Sequence, residues 1–146
     1  MKNYRTHKSC LFLIELILAI TFFSLASAVC LQLFVKSHLL SQETTQLNTG
    51  INLATSIAEI FRQNYGDMEA VQKLMPELKP TNSENHYIAF YKEEGLPCQK
   101  ADAFYTLTME NSEIEGQRTT IIKILSVPNH TSIYELSVQV HLPNTP

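Results

Sequence analysis

One acidic residue, Glu15, lies inside an apolar run that extends from Leu11 to Val35. Apart from this carboxylate, only short hydroxyls, one thiol and one amide interrupt the hydrocarbon side chains of the run. Near the middle of a membrane-spanning helix, an acidic side chain costs roughly 2.5 kcal/mol or more, and such residues usually have a partner and a function. Glu15 is therefore the first candidate for a functional residue in this sequence.

The other side chains that could do chemistry form no pattern typical of an enzyme. No histidine has a cysteine, aspartate or glutamate at the close spacing of a metal site, and the sequence has neither a glycine-rich phosphate loop nor a Gly-x-Ser-x-Gly motif. The acidic pairs Glu93–Glu94 and Glu113/Glu115 are interpreted as a solvated rim rather than as a catalytic pair or a calcium site. We therefore expect no catalytic residue, no metal and no cofactor.

The three cysteines are too scattered to form a disulfide framework. Cys10 borders the apolar run, Cys30 lies within it, and Cys98 is alone in the remainder of the chain. A body of about 110 residues that follows the run must therefore be held together by its hydrophobic core.

The apolar run is long enough to cross a membrane. As a helix with a rise of about 1.5 Å per residue it would extend roughly 37 Å, whereas a bilayer core is about 30 Å thick. Lys2, Arg5 and Lys8 precede it without any acidic residue, and the remainder of the chain is acidic. The basic flank predicts a single-pass protein of the cytoplasmic membrane, with its N-terminus in the cytoplasm and its body outside. The acidic body argues against nucleic acid as a direct ligand.

Two other interpretations of the N-terminal segment were weighed. A secretory signal peptide has a shorter apolar core, of about 7–15 residues, although Ala26-Ser27-Ala28 does resemble a cleavage site. In a lipoprotein signal Cys30 would be the lipidated residue. Neither interpretation accounts for a carboxylate in the first turns of the apolar core.

The helical pattern continues beyond the apolar run to Gln63, because apolar residues recur at gaps of three, four and seven. The predicted apolar face comprises Leu40, Leu47, Ile51, Ala54, Ala58 and Phe61. Gly66 is placed to cap the end of this helix. A short helix is then expected, with Asp67 as its N-cap and its end before Pro76.

The last part of the chain has the composition and alternation of β-strands. The predicted strands are His86–Lys92, Ala103–Met109, Arg118–Val127 and Ile133–Leu142. In the last of them, Tyr134, Leu136 and Val138 face one side and polar residues the other, which indicates one buried and one solvated face. The short linkers favour an antiparallel meander. An α+β fold is therefore expected, in which the amphipathic half of the long helix packs on a four-stranded antiparallel sheet.

This order of segments resembles the type IV pilin family, which includes the pseudopilins of type II secretion and the pilins of competence systems. The stretch that carries the resemblance is Cys10-Leu11-Phe12-Leu13-Ile14-Glu15. Leu13, Ile14 and Glu15 match the family signature, whereas Cys10 stands where the family prefers glycine. With the basic leader peptide at 1–10 that the resemblance implies, the expected organisation is a transmembrane helix at 11–35, its amphipathic continuation at 36–63, a connecting segment at 64–85 and the sheet at 86–146. The sheet is expected to form one exported domain with 36–63.

The resemblance also implies a role for particular residues. A prepilin peptidase would cut between Cys10 and Leu11, and the new amine of Leu11 would be methylated. Glu15 would face the Leu11 amine of a neighbouring subunit, so that other pilin-like subunits are partners along with the membrane and the peptidase/methylase. The chain has no proline before Pro76 and no cysteine after Cys98, which favours a minor pilin or pseudopilin over a main fibre subunit.

Three hypotheses on function remain after the sequence analysis. The first is a pilin-like subunit of a membrane-anchored filament for secretion, DNA uptake or adhesion. The second is a single-pass membrane-anchored extracellular binding protein unrelated to filaments. The third is a secreted or lipidated binding protein that is released after Ala28 or Val29.

Overall fold

A computed structural model describes residues 4–142 of the chain and the side chains of residues 11–142. The elements are helices α1 (Tyr4–Gln63) and α2 (Met68–Leu74), a 3-10 turn (Lys100–Asp102) and strands β1 (Lys79–Pro80), β2 (His86–Tyr91), β3 (Tyr105–Ile114), β4 (Gln117–Ser126) and β5 (Thr131–His141). The predicted α+β class is confirmed. Contacts divide the chain into two compact units, residues 1–43 and 44–146, and α1 contributes to both.

The first unit is helical. Within it, α1 carries the apolar run with large side chains exposed on all of its faces; Phe23 is 76% exposed and Phe34 75%. This helix is long enough and apolar enough to cross a membrane. The predicted end of the helix at Gln63 is correct.

The second unit is built on an antiparallel meander in the order β1-β2-β3-β4-β5. The expected four-stranded sheet is thus a five-stranded one. The additional strand, β1, is only two residues long and pairs with β2 through Lys79 and Ile88. It lies in the segment predicted as a connection, because two residues are too few to produce an alternating pattern.

The core lies between the sheet and the part of α1 that begins at Gly50. Buried residues of the helix are Gly50, Ala54, Ile57, Ala58 and Phe61. They pack with buried residues of the sheet and its connections: Val71, Met75, Leu78, Ala89, Tyr91, Tyr105, Leu107, Met109, Ile122, Ile124 and Val138.

The predicted apolar face of the helix is buried only in its C-terminal part. Leu40 is 61% exposed and Leu47 40% exposed, because the buried positions of α1 begin only at Gly50. Gly50 allows the sheet to approach closely, since a Cβ atom there would lie 3.2 Å from Cγ2 of Ile133. This contact explains why a glycine occupies a buried helical position.

The end of α1 has the hydrogen bonds of a Schellman motif. The Gly66 N–H donates to the carbonyl of Phe61 at 2.8 Å, and the Tyr65 N–H donates to that of Arg62 at 3.2 Å. Gly66 therefore takes part in the cap, as predicted, but Tyr65 is the first residue in the left-handed region, with φ of 51°. The predicted N-cap of α2 is correct, because an Asp67 carboxylate oxygen accepts from the Glu69 N–H at 3.0 Å.

Strand β3 is longer than its sequence pattern, β4 begins and ends one residue earlier than predicted, and the two strands meet in a two-residue turn. Ile114 pairs with Gln117, and the intervening residues Glu115 and Gly116 have φ of 50° and 76°. Positive φ at both positions is typical of a type I′ turn, whose twist matches that of a hairpin. The prediction that β3 ends at Met109 was wrong because pairing with β4 stabilises polar residues up to Ile114.

Candidate functional site: the Glu15 segment of α1

The candidate site is held on an uninterrupted helix. The α1 sequence contains no proline, and its only glycine is Gly50, so nothing breaks the hydrogen-bond ladder around Glu15. The hydroxyl of Thr21 donates to the carbonyl of Ile17 at 2.8 Å, which satisfies this polar group within the helix itself. Glu15 is the only Asp, Glu, Lys or Arg between Leu11 and Val35, so its carboxylate is the one charged group of the apolar segment.

Glu15 lies on a continuous apolar surface. It follows Leu11 by four residues, so both side chains lie on the same face of α1, roughly 6 Å apart along its axis. Leu11 is 66% exposed, and Phe12 and Leu18, each within one turn of Glu15, are also exposed. Among the side chains from residue 11 onward, no hydrogen bond or ion pair includes the Glu15 carboxylate.

The predicted cleavage position lies at the limit of what the structure describes. The backbone of Cys10 and Leu11 is part of α1. The Cys10 side chain lies outside the described residues, as do Lys2 and the side chains of Arg5 and Lys8. The structure therefore places Leu11 and Glu15 one turn apart on one helix face, and leaves the roles predicted for Cys10 and the basic residues as predictions.

The acidic residues that were predicted to form a solvated rim are exposed. Glu113 accepts from Nε of Arg118 at 2.8 Å, and Glu115 lies in the hairpin turn. Within residues 11–142, no three histidine, cysteine, aspartate or glutamate side chains come together as a metal site.

One interaction of Arg118 was not foreseen from the sequence. Besides its pair with Glu113, its guanidinium donates to the carbonyl of Tyr65 at 3.3 Å, so it connects the β3–β4 hairpin to the cap of α1. Arg118 and Glu113, together with Gly66 and Asn111, line an open cavity of about 270 Å³. A strand pattern shows which face a residue occupies but not which distant turn it reaches, so the sequence carried no signal for this contact.

Two buried tyrosines have perturbed acid–base behaviour. Burial, together with the nearby negative charge of Glu77, raises the pKa of Tyr91, whose hydroxyl donates to Oε1 of Glu77 at 3.3 Å. Burial likewise raises the pKa of Tyr105. Both side chains pack in the core, so we assign them to stability rather than to a reaction.

A second groove lies between α1 and the last strand of the sheet. It measures about 410 Å³ and is lined by Thr55, Ala58, Glu59, Arg62, Tyr134, Leu136, Ser137, Val138 and Gln139. The alternation of β5 predicted its buried and solvated faces correctly. The groove could not be predicted, because it depends on which residues of α1 lie beside β5.

No protein-family model, no curated protein and no solved structure matches this chain.

Proposed function

We propose that the chain is a pilin-like structural subunit, a minor pilin or pseudopilin, that assembles through α1 into a membrane-anchored filament for secretion, DNA uptake or adhesion. The observation that carries this proposal is Glu15, a carboxylate on the exposed apolar part of a helix whose other half forms the core of a sheet domain. An apolar helix surface needs lipid or other helices around it, and a carboxylate there needs a cation.

The proposed topology follows from the charges that flank the apolar run. Basic residues precede it and an acidic body follows it, so the N-terminus is assigned to the cytoplasm and the body to the outside. A prepilin peptidase would then cut before Leu11 on the cytoplasmic side, and the new amine would be methylated. Assembly would lift the subunit out of the membrane into a filament of a type II secretion, competence or pilus system.

The proposed assembly contact joins Glu15 to the Leu11 amine of a neighbouring subunit. A buried carboxylate and a buried ammonium each cost several kcal/mol alone, but each offsets the cost of the other when they are paired. Because Leu11 and Glu15 are separated by roughly 6 Å of helix rise, this pair would set a fixed axial stagger between neighbouring helices.

The assembly contact is tested by changing Glu15 in the full chain in cells that carry the assembly machinery. In Glu15→Ala and Glu15→Gln we expect the protein to reach the membrane at its normal level, but its share in sheared or extracted filaments should fall at least tenfold. A loss of 1.4 kcal/mol in pairing free energy already corresponds to about a tenfold change in an equilibrium. Ser24→Ala, a change within the same apolar run, is the matched control.

The alternative function, a membrane-anchored binding protein unrelated to filaments, predicts that the Glu15 variants behave like the unchanged protein. If the chain is a membrane-anchored binding protein, removing the Glu15 carboxylate leaves both its membrane level and its activity unchanged. Normal incorporation of Glu15→Ala and Glu15→Gln would therefore contradict the filament proposal.

A further inference from the structure

The strand β5 forms a long, open edge of the sheet. In the part of the chain that the structure describes, β5 is the last strand in sheet order and pairs only with β4. Proteins commonly protect such an edge with lysine, proline or a bulge, because its free backbone groups can pair with another chain. The bulge at Ile124/Leu125 lies near the start of β5, and no lysine or proline occurs between Glu135 and His141.

The register identifies the backbone groups at this edge. The Leu142 N–H donates to the carbonyl of Gly116 at 2.9 Å, and Gln117 pairs with His141. In an antiparallel pair, successive residues direct their backbone groups alternately toward and away from the partner strand. The residues that direct them away from β4 are therefore Glu135, Ser137, Gln139 and His141, and their side chains are exposed.

The opposite edge of the sheet is covered. Strand β1 pairs with β2, the Thr81 N–H donates to the carbonyl of His86 at 2.8 Å, and the Cys98 N–H donates to that of Phe90 at 2.9 Å. Within residues 4–142, the edge at β2 is thus covered and the edge at β5 is free, although β5 is the longest strand of this part of the chain.

The groove beside β5 can receive the side chains of an added strand. A strand paired with β5 would lie about 4.8 Å from it and would direct alternate side chains toward α1, over the groove. Ala58 and Val138, both nearly buried, together with Leu136 give the groove an apolar lining, whereas Glu59 and Arg62 make part of it polar. Apolar side chains at alternate positions therefore fit this site.

A second copy of this chain is a poor occupant of the edge. If two β5 strands paired antiparallel about a two-fold axis, the two α1 segments that pack on the sheets would run in opposite directions. Two helices anchored in one membrane by the same end must run in the same direction. Head-to-tail pairing would bring β5 to the β2 edge of the next copy, which β1 and Cys98 already cover.

We infer that β5 is a docking site for an extended segment of a different protein chain, which adds a strand to the sheet and places apolar side chains at alternate positions in the groove beside α1. The inference does not rest on the filament function: the free edge belongs to the unit formed by residues 44–146, and only the exclusion of a second copy uses the anchoring of α1 in a membrane. The inference is tested by cross-links formed at β5. The proposed function is tested separately, by the incorporation of Glu15 variants into filaments and by the mass of the mature N-terminus.

The test uses a photo-reactive phenylalanine analogue at Gln139 in the full chain, produced in its own cells. Thr108, which is half-buried in the middle of the sheet on the face away from α1, is the control position. After irradiation, mass spectrometry of the adducts should locate the cross-link in an extended segment of another chain, with apolar residues at alternate positions. The Thr108 position should give no such adduct.

Ser137→Pro is the decisive second variant. The Ser137 N–H points away from β4, so proline removes an edge donor but no bond of the β4–β5 ladder. We expect Ser137→Pro to abolish the adduct at Gln139 while the level of the protein in the membrane stays normal. If that level falls, Ser137→Lys is used instead. Its charged side chain disfavours pairing at the edge without changing the backbone, so it should also abolish the adduct. The absence of an adduct at Gln139, an adduct to a second copy of this chain, or an adduct that persists in the variant would overturn the inference.

Discussion

At the scale of single residues, the environment of Glu15, for which we propose a role in assembly, differs from the environments of residues that stabilise the body. The Glu15 carboxylate has no hydrogen bond or ion pair with the side chains of residues 11–142, whereas Gly50 and Gly66 are explained by close contacts within the fold. The sequence indicated Glu15 because a charge in an apolar run is visible without a structure. The packing role of Gly66 was not visible, because it depends on Arg118, which is distant in the sequence.

Gly66→Ala should strongly destabilise the body. The residue has φ of 72°, and a Cβ atom there would lie 2.9 Å from both Cδ of Arg118 and Cζ of Phe61. Gly116→Ala is the matched control, since φ there is 76° but nothing lies within 4 Å of the added atom. We expect Gly66→Ala to lower the free energy of unfolding by about 2 kcal/mol more than the control, because only it adds overpacking to backbone strain. Urea unfolding of the full chain in detergent, followed by tyrosine near-ultraviolet circular dichroism, measures this; equal losses would contradict the contact.

At the scale of elements, the helices and strands that have a strong hydrophobic periodicity could be predicted from the sequence. The end of α1, the N-cap of α2 and the faces of β5 follow from local patterns, and they agree with the structure. The elements that were missed depend on pairing with a partner: β1 is a strand only because Ile88 lies opposite Lys79, and β3 continues to Ile114 because β4 pairs with it. Leu47 is exposed because the sheet does not reach it.

The turn between β3 and β4 should be improved by Glu115→Asn. Glu115 has φ of 50°, a conformation that asparagine adopts more easily than glutamate, and Asn-Gly is the preferred pair in a type I′ turn. We expect the free energy of unfolding to rise by about 0.5 kcal/mol, within the range of single turn optimisations. Glu115→Ala, which removes the same charge without favouring a left-handed backbone, should give no rise. An equal rise in both variants would assign the effect to charge rather than to the turn.

At the scale of the whole molecule, a membrane-competent helix and a sheet domain share one continuous α1. The fold class could be predicted because it follows from two hydrophobic periodicities. The expected meander already placed the last strand at an edge of the sheet, but the partners that we propose for Glu15 and for β5 belong to other molecules and could not be predicted from this sequence.

The stability of the body should decrease at alkaline pH. The pKa of Tyr91 is raised above its ordinary value of 10.0, so its contribution is present below about pH 10 and is lost as the pH rises further. Tyr91→Phe should therefore weaken the dependence of the urea midpoint on pH between about pH 9 and 11. Tyr65→Phe, which changes an exposed side chain, is the control and should leave that dependence as it is. An unchanged slope in Tyr91→Phe would show that other groups cause the alkaline loss.

The central claim, that α1 is an assembly helix beginning at Leu11, is tested most directly by the mass of the protein recovered from cells that contain the peptidase. Intact-mass and N-terminal peptide analysis should find a chain that begins at Leu11 and carries one added methyl group on its amine. A chain that still begins at Met1 in those cells, or one that begins near Cys30, would contradict the account.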